Sequence, residues 1–268
     1  MNRIEDAFKK LKAKSRKGLI TFVTAGDPDL TTTVKLVCEM EKQGADIIEL
    51  GIPYSDPIAE GPTIQAANER ALRHAIKIDD VMGAVVEMRK TVKAPLLFLL
   101  YYNCVLQYGP RRFFQACLDS GVDGLIIPDL PFEERAELDN LVSDFPVAVI
   151  SMVAPTSKER IQNICAQAEG FLYCVSSLGV TGVRSDFKTD FKEFFSYINR
   201  YCHIPKALGF GISTPEQVAD LKQYCDALIV GSAIVRRVGE SKNPEEAARR
   251  VGEFTAELRS ALDVSTVP

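Results

Sequence analysis

Short runs of apolar and β-branched residues recur along the chain, and an amphipathic, helix-like segment follows most of them. Such runs, with few polar positions, are typical of strands that are buried on both faces. The predicted strands span residues 19–24, 46–50, 96–101, 124–127, 147–152, 171–175, 206–208 and 227–230. The clearest helical segments between them span residues 31–43, 111–120, 133–143, 158–168 and 215–224.

Strands that alternate with helices in this way indicate a parallel sheet with helices packed on its faces. Eight such units in a chain of 268 residues predict a closed (β/α)8 barrel, the TIM-barrel form of the α/β class. The alternative is an open doubly wound sheet, which often has a G-x-G-x-x-G phosphate fingerprint in its first turn. The first turn here, residues 24–28, has the sequence TAGDP, and the barrel is therefore favoured.

The segments outside this repeat are short. The chain has no linker-like or low-complexity stretch, so residues 1–268 are expected to form a single domain. Extra helical material is expected at the N-terminus, in residues 3–14, and between the second and third strands, in residues 64–90.

Composition and charge narrow the classes of function. The net charge is −4, so no overall positive field favours nucleic acid. The basic run at 9–17 is interpreted as the exposed end of the first helix, with a nucleic-acid patch as the alternative. The seven cysteines are scattered without a C-x-x-C pair, which argues for a reducing compartment without disulfides or a metal site. With neither a signal segment nor a membrane span recognisable, a cytoplasmic protein is expected.

Three loops at the predicted carboxyl ends of the strands are rich in small residues. In barrels of this kind the functional site lies at these ends, and phosphate often binds after the seventh and eighth strands. There the sequences are GFGIS at 209–213 and GSAI at 231–234, which predicts a phosphate site; the alternative is ordinary turn glycines. The loop 176–185 after the sixth strand is either a mobile lid or a solvated connection.

Three acids, Glu49, Asp56 and Glu60, lie at the end of the second strand or in the loop after it. Alternation places Ile47 and Glu49 on one side of that strand and Ile48 and Leu50 on the other. If Glu49 faces the barrel axis, it is a partly desolvated carboxyl with a raised pKa, suited to acid–base catalysis. If it faces the helices, it pairs with a lysine or arginine, and the two isoleucines do not decide between these alternatives.

The other candidate groups are weaker. Asp56 and Glu60 lie on a proline-rich loop and are either solvated turn acids or groups that reach over the barrel mouth. Asp129 follows the fourth strand and is either a site residue or a cap of its own turn. His74 and His203 are assigned structural roles. The residues alone predict a barrel enzyme that handles a phosphorylated metabolite by carboxylate chemistry, without a choice between isomerase and lyase.

The chain resembles the tryptophan synthase α subunits over nearly its full length. The most specific motif is ELGIPYSDPIAEGPTIQ at 49–65. Supporting matches are FVTAGDP at 22–28, PDLP at 128–131, GVTG at 179–182, GFGI at 209–212 and VGSAI at 230–234.

The resemblance implies a retro-aldol cleavage of indole-3-glycerol phosphate to indole and glyceraldehyde 3-phosphate. In that reaction Glu49 would be the general acid–base group, which protonates C3 of the indole ring and helps remove the glycerol hydroxyl proton. Glu60 would interact with the indole N–H as positive charge develops there.

The resemblance also implies binding residues. The positions that match phosphate-binding residues are Gly182, Phe210, Gly211, Gly231 and Ser232. Those that match the indole pocket are Phe22, Tyr101, Ile126 and Tyr173. Thr181 matches the closing lid, and Asp56 lies on the loop that would contact a partner subunit.

One position departs from the family pattern. The family usually has aspartate where this chain has Glu60, so the charge is kept on a side chain that is one methylene longer. At a site where position controls the rate, such a change can reduce activity.

The resemblance implies a partner as well. Members of the family pair with a β subunit in an α2β2 complex and pass indole to it. The cofactor pyridoxal phosphate (PLP) is expected only in that β subunit, and none is expected in this chain. The alternatives are a free-standing lyase, a non-catalytic chain that activates the β subunit, and a phosphosugar isomerase on the same barrel.

Overall fold

Parallel strands form the centre of the molecule. The structure is a computed structural model, and it describes residues 2–175, 190–209 and 211–264. Within these residues nine parallel strands form one sheet. They are β1 (Gly18–Thr24), β2 (Ile47–Gly51), β3 (Leu96–Leu99), β4 (Gly124–Ile126), β5 (Ala148–Val149), β6 (Ser151–Val153), β7 (Leu172–Val175), β8 (Lys206–Gly209) and β9 (Ala227–Val230).

The sheet closes on itself and confirms the predicted barrel. Its strand order is β5-β4-β3-β2-β1-β9-β8-β7-β6, so its two ends are consecutive pieces of one stretch of chain. Only Ile150 separates them, and its N–H donates to the carbonyl of Leu125 at 2.8 Å. The predicted fifth strand is therefore interrupted at Ile150, and the other seven predicted strands each correspond to one observed strand.

Helices surround the barrel. Those described are α1 (Arg3–Ala13), α2 (Leu30–Lys42), α3 (Pro62–Leu72), α4 (Ile78–Met88), α5 (Tyr102–Tyr108), α6 (Pro110–Ser120), α7 (Arg135–Val142), α8 (Ile161–Gln167), α9 (Phe191–Ile198), α10 (Pro215–Leu221), α11 (Ser232–Gly239) and α12 (Pro244–Asp263). The expected helical segment 64–90 is two helices with a break between them. None of the described helices is long and apolar enough to cross a bilayer.

Apolar side chains form two layers, one inside the barrel and one between the barrel and the helices. The layer to which a strand residue belongs shows which way its side chain points. Ile47 belongs to the cluster inside the barrel, whereas Ile48 and Leu50 belong to the larger cluster between the barrel and the helices. Because side chains alternate along a strand, this assignment turns Glu49 towards the barrel interior.

Helix α1 covers the amino-terminal end of the barrel. Its apolar residues Ile4, Phe8 and Leu11 are part of the inner cluster, and the rings of Phe8 and Phe171 lie 5.7 Å apart. Asn2 begins the helix by accepting a hydrogen bond from the N–H of Ile4. Since this end of the barrel is filled by a helix, a ligand has access from the opposite end.

The backbone of α4 offers a test of the fold. Gly83 lies exposed in the middle of this helix, and a Cβ added there would contact nothing within 4 Å. Gly83→Ala should therefore stabilise the protein by about 0.5–1 kcal/mol, because glycine loses more backbone entropy in a helix. Urea unfolding followed by circular dichroism measures the change.

The matched control for this prediction is Gly121, which ends α6 in the left-handed conformation with φ 90°. Gly121→Ala should destabilise the protein, because an L side chain is strained there and its Cβ would approach Arg89 at 3.2 Å. Equal effects of the two substitutions would contradict the assigned helix geometry.

Candidate active site

A cavity opens at the carboxyl ends of the strands and encloses about 630 Å³, including its open mouth. This size is ordinary for a small-molecule site. The cavity is lined by Phe22, Glu49, Ala59, Glu60, Ile64, Leu99, Pro128, Met152, Tyr173, Gly211, Ile212, Ile229, Gly231 and Ser232. Most of this wall is apolar, and the two ionisable carboxyl groups in it are those of Glu49 and Glu60.

Glu49 is the last inward-facing side chain of β2. The residue is 1 % exposed and pairs in the sheet with Phe22 of β1. Its Oε1 atom has no hydrogen-bond partner among the described residues. The alternative in which Glu49 faces the helices and pairs with a cation is therefore wrong.

Burial controls the protonation of Glu49. Loss of water disfavours the charged form of a carboxyl group, and this raises the pKa of Glu49 to about 8. At neutral pH the group therefore carries its proton. A protonated carboxyl in an apolar cavity is a proton donor that is ready to act as a general acid.

Glu60 reaches the same cavity from the loop after β2. Its residue is 6 % exposed, and its Oε2 accepts a hydrogen bond from Asn68 Nδ2 at 2.6 Å. The side chain of Gln65 donates to its main-chain carbonyl at 2.7 Å. Burial raises the pKa of Glu60 to about 7, and the Asn68 hydrogen bond opposes this rise.

The loop that carries Glu60 is anchored from β3. The hydroxyl of Tyr101, just past that strand, accepts hydrogen bonds from the N–H groups of Ile58 and Ala59, both at 3.0 Å. The ring of Tyr101 also packs on Tyr54, with centroids 4.8 Å apart. Tyr101 thus fixes the approach of the loop to the cavity.

Two small-residue loops face the carboxylates. Gly211 follows β8, and Gly231 and Ser232 follow β9; all three line the cavity. Gly231 precedes α11, which begins at Ser232, and the first N–H groups of a helix have no partner within the helix. Such N–H groups favour an anion. Phe210, Gly182 and Thr181 lie outside the described residues.

The apolar wall is built around two aromatic rings. Phe22 and Tyr173 line the cavity, and each lies against a glycine. A Cβ on Gly51 would come within 2.5 Å of the Phe22 ring, and one on Gly209 would come within 2.7 Å of the Tyr173 hydroxyl. Ile126, also expected in the pocket, belongs to the inner cluster of the barrel.

The remaining sequence candidates lie beside the cavity. Asp56 is exposed on the β2–α3 loop and accepts a hydrogen bond from Ser55. On the same loop Ile58 is 72 % exposed. Asp129 accepts a hydrogen bond from the N–H of Tyr102 at 2.9 Å and so caps α5.

The sequence interpretation missed Asn68, which contacts Glu60 directly. Asn68 is 3 % exposed and lies among the buried residues of α3, with Ile64, Ala67 and Ala71. A polar residue at helical spacing within an otherwise apolar stripe was the available signal, because buried amides require a partner.

Comparisons with known proteins agree with this geometry. A family model described as the tryptophan synthase alpha chain matches residues 8–263. A curated tryptophan synthase alpha chain from Thermoanaerobacter sp. (strain X514) is 49 % identical over 262 residues, which cover 98 % of this chain and 100 % of the relative.

Solved structures give the same result. The tryptophan synthase subunit alpha from Legionella pneumophila str. Paris superposes with a TM-score of 0.88 at 38 % identity, covering 98 % of this chain and 99 % of that one. A chain of Mycobacterium tuberculosis tryptophan synthase gives a TM-score of 0.89 at 32 % identity, with 98 % and 99 % coverage.

The raised pKa of Glu49 predicts a pH-dependent cost in stability. Its pKa rises from 4.5 to about 8 on folding, so between these values the folded protein binds more protons than the unfolded chain. Stability then falls as the pH rises through this window. Glu49→Gln has no carboxyl group to ionise and so avoids this loss of stability. It should be more stable than wild type at pH 9 by on the order of 3 kcal/mol, and the gain should shrink towards pH 4.

Urea unfolding at several pH values measures this difference. Glu257→Gln, at an exposed position of α12, is the matched control and should change stability little at any pH. A stability gain for Glu49→Gln that is the same at pH 4 and pH 9 would contradict the assignment.

Proposed function

The chain belongs to the tryptophan synthase alpha chain family, and on that basis we propose a role for each group in the cavity. The family reaction is the lyase cleavage of indole-3-glycerol phosphate to indole and glyceraldehyde 3-phosphate, a step of tryptophan biosynthesis. The observation that carries the assignment of roles is the position of Glu49, which is buried with no cation beside it among the described residues and faces the same cavity as Glu60.

Glu49 acts as the general acid and then as the base. Its carboxyl group, protonated at neutral pH because the pKa is about 8, transfers a proton to C3 of the indole ring. The resulting carboxylate then takes the proton from the hydroxyl of the adjacent glycerol carbon. As that oxygen becomes an aldehyde, the carbon–carbon bond breaks and its electron pair returns to the indole ring, so that protons and electrons balance.

Glu60 stabilises the intermediate. Protonation at C3 places positive charge on the ring, and much of it develops at the indole nitrogen. A carboxylate held beside the N–H group lowers the energy of this state, since its charge is already oriented before the reaction. The support for this role is that Glu60 lines the cavity and is fixed by a short hydrogen bond.

The phosphate of the substrate binds at the other end of the cavity. Gly211, Gly231 and Ser232 line the cavity, and α11 begins at Ser232. Its first N–H groups and helix dipole favour an anion. Gly182 and Phe210 complete the proposed phosphate site, and Thr181 belongs to the proposed lid.

The indole ring lies on the apolar wall between these two ends. Phe22 and Tyr173 offer it two aromatic surfaces, and Ile64 and Leu99 extend the wall. Tyr101 and Ile126 are assigned to this pocket as well, on the basis of the family resemblance. A largely apolar wall with few polar groups is typical of a site that binds an aromatic ring.

A β subunit is the proposed partner, in an α2β2 complex in the cytoplasm. Relatives include a chain of a tryptophan synthase complex from Pyrococcus furiosus. In this chain, Asp56 and the exposed Ile58 lie on the loop that carries Glu60. A partner that contacts this loop would therefore act on the catalytic group. No cofactor is assigned to this chain, and PLP is assigned to the β subunit.

The indole assay tests the catalytic role. The purified chain, mixed with indole-3-glycerol phosphate with and without a β subunit, should release indole. Glu49→Gln should lower this rate by at least about 100-fold, because the proton donor is lost. Glu60→Gln should lower it by less, since it removes charge stabilisation but leaves the proton donor.

The same variant separates catalysis from activation of the partner. Glu49→Gln should still activate the β subunit, because the contact loop is unchanged. Full indole release by Glu49→Gln would contradict the mechanism. Absence of indole from wild type under both conditions would leave the non-catalytic activator as the function.

The contact loop gives a further prediction. Asp56→Ala should raise the concentration of β subunit needed for half-maximal activation by about twofold to fivefold, because a rim charge contributes little binding energy. Titration of the chain with β subunit measures this concentration. Leu118→Ala, at an exposed apolar position on α6, is the control and should leave it unchanged; equal effects would exclude the loop as the contact.

A further inference from the structure

Among the described residues, the two cavity carboxyl groups differ in their hydrogen bonding and in the depth of their burial. Glu49 has an oxygen without a hydrogen-bond partner among the described residues. Glu60 accepts a hydrogen bond from the side-chain amide of Asn68 at 2.6 Å. Both acids line the same cavity, so the amide of Asn68 is the polar contact that distinguishes them.

We propose that Asn68 is a positioning residue that keeps the Glu60 carboxylate ionised and directed into the cavity, while Glu49 stays protonated. The inference rests on the proposed function, because it concerns the different catalytic roles of Glu49 and Glu60. A site that needs a proton donor and a negative charge side by side must hold two like groups in different protonation states.

The physical basis is the direction of the hydrogen bond. An N–H group that donates to a carboxylate stabilises its charged form, whereas burial destabilises that form. At Glu49 burial is the cause, and its pKa rises to about 8; Glu60 is less deeply buried and also accepts the Asn68 hydrogen bond, and its pKa rises to about 7. The lower of the two values belongs to the acid with the donor.

Asn68 is itself held in place. It is 3 % exposed and lies on α3, which starts at Pro62, directly after the loop that carries Glu60. The main chain of this loop is fixed by Tyr101 and by Gln65. These contacts hold the backbone, whereas Asn68 is the residue that contacts the carboxylate.

Other ionisable groups around Glu60 do not supply this donor. The titratable groups nearest the cavity are Glu49 on β2, Tyr101 after β3 and Tyr173 on β7. On α3 itself, Arg70 forms a bidentate ion pair with Asp27, and Glu69 is its neighbour. Within the described residues, Glu60 takes part in no salt bridge, so the amide of Asn68 is its charge-stabilising contact there.

A carboxyl titration by NMR tests the proposal without any need for activity. Protein labelled with [5-13C]glutamate should give a Glu60 signal, identified by its loss in Glu60→Gln, that titrates near pH 7. In Asn68→Leu the Glu60 midpoint should rise by at least about one pH unit, because a hydrogen bond to a charge is lost. Asn68→Ala should give the same direction, and circular dichroism checks that each variant is folded.

Two internal controls accompany this titration. The Glu49 midpoint, near pH 8, should move much less than that of Glu60 in the Asn68 variants. Gln65→Ala removes a contact to the Glu60 carbonyl from the same helix and should leave the carboxyl midpoint in place. An unchanged or lowered Glu60 midpoint in a folded Asn68 variant would overturn the proposal.

The pH–rate profile gives the functional counterpart. Wild type should release indole best between the two midpoints, about pH 7–8. In Asn68→Leu the acidic limb should move up in pH until it meets the basic limb, and the maximum rate should fall about twofold, because fewer molecules then hold one acid ionised and the other protonated. A wild type without indole release would refute the proposed function, whereas an Asn68 variant with an unmoved limb would refute this inference alone.

Discussion

Glu49, at the end of β2, is a carboxyl group buried without an ionic partner among the described residues, and the rest of the site depends on this constraint. Placing a charge in such surroundings costs more than protonating the group, so Glu49 holds its proton at neutral pH. The apolar wall that imposes this state is supplied by residues on several strands, such as Phe22 and Tyr173. Any change that admitted water or a cation would lower the pKa of Glu49 and remove the proton donor. The reactivity of Glu49 therefore depends on the closed barrel around it. The same burial lowers the stability of the protein when the carboxyl group ionises.

The fold could be predicted because its main signals are local. Each strand is a short apolar run, and Asp29 and Thr214, residue types that favour helix N-termini, cap α2 and α10. The direction of Glu49 could not be predicted, because Ile47 on its own side of the strand and Ile48 and Leu50 on the other are all apolar and give no contrast in polarity. It follows only from the two apolar layers, which require the whole barrel. The break at Ile150 was equally hidden, since it results from ring closure and the residues around it are ordinary strand formers.

The sequence predicted the site residues that directly follow strands, but it did not predict the side-chain contacts to the β2–α3 loop. Gly211, Gly231 and Ser232 follow strands, so counting the strands along the sequence was sufficient to predict that these residues lie at one site. Asn68 and Tyr101 act through side chains that meet the β2–α3 loop from different elements. The Tyr101 hydroxyl binds N–H groups more than forty positions earlier in the sequence, and no pattern of residue types encodes such a contact. Tyr101 is also expected in the indole pocket. That expectation is compatible with its contact to the loop, since the ring and the hydroxyl group contact different neighbours.

The glutamate at position 60 shows how such loop contacts can compensate for a change in side-chain length. A longer side chain has an extra rotatable bond, so holding its carboxylate in one place costs more conformational entropy. Here the carboxylate is held by Asn68, and the backbone beneath it is held by Gln65 and Tyr101. Because the carboxylate and the backbone are both held, these contacts determine the position of the charge more than the length of the side chain does. Where the resemblance implies aspartate, the glutamate of this chain thus has its charge placed by Asn68, on the helix that follows the loop.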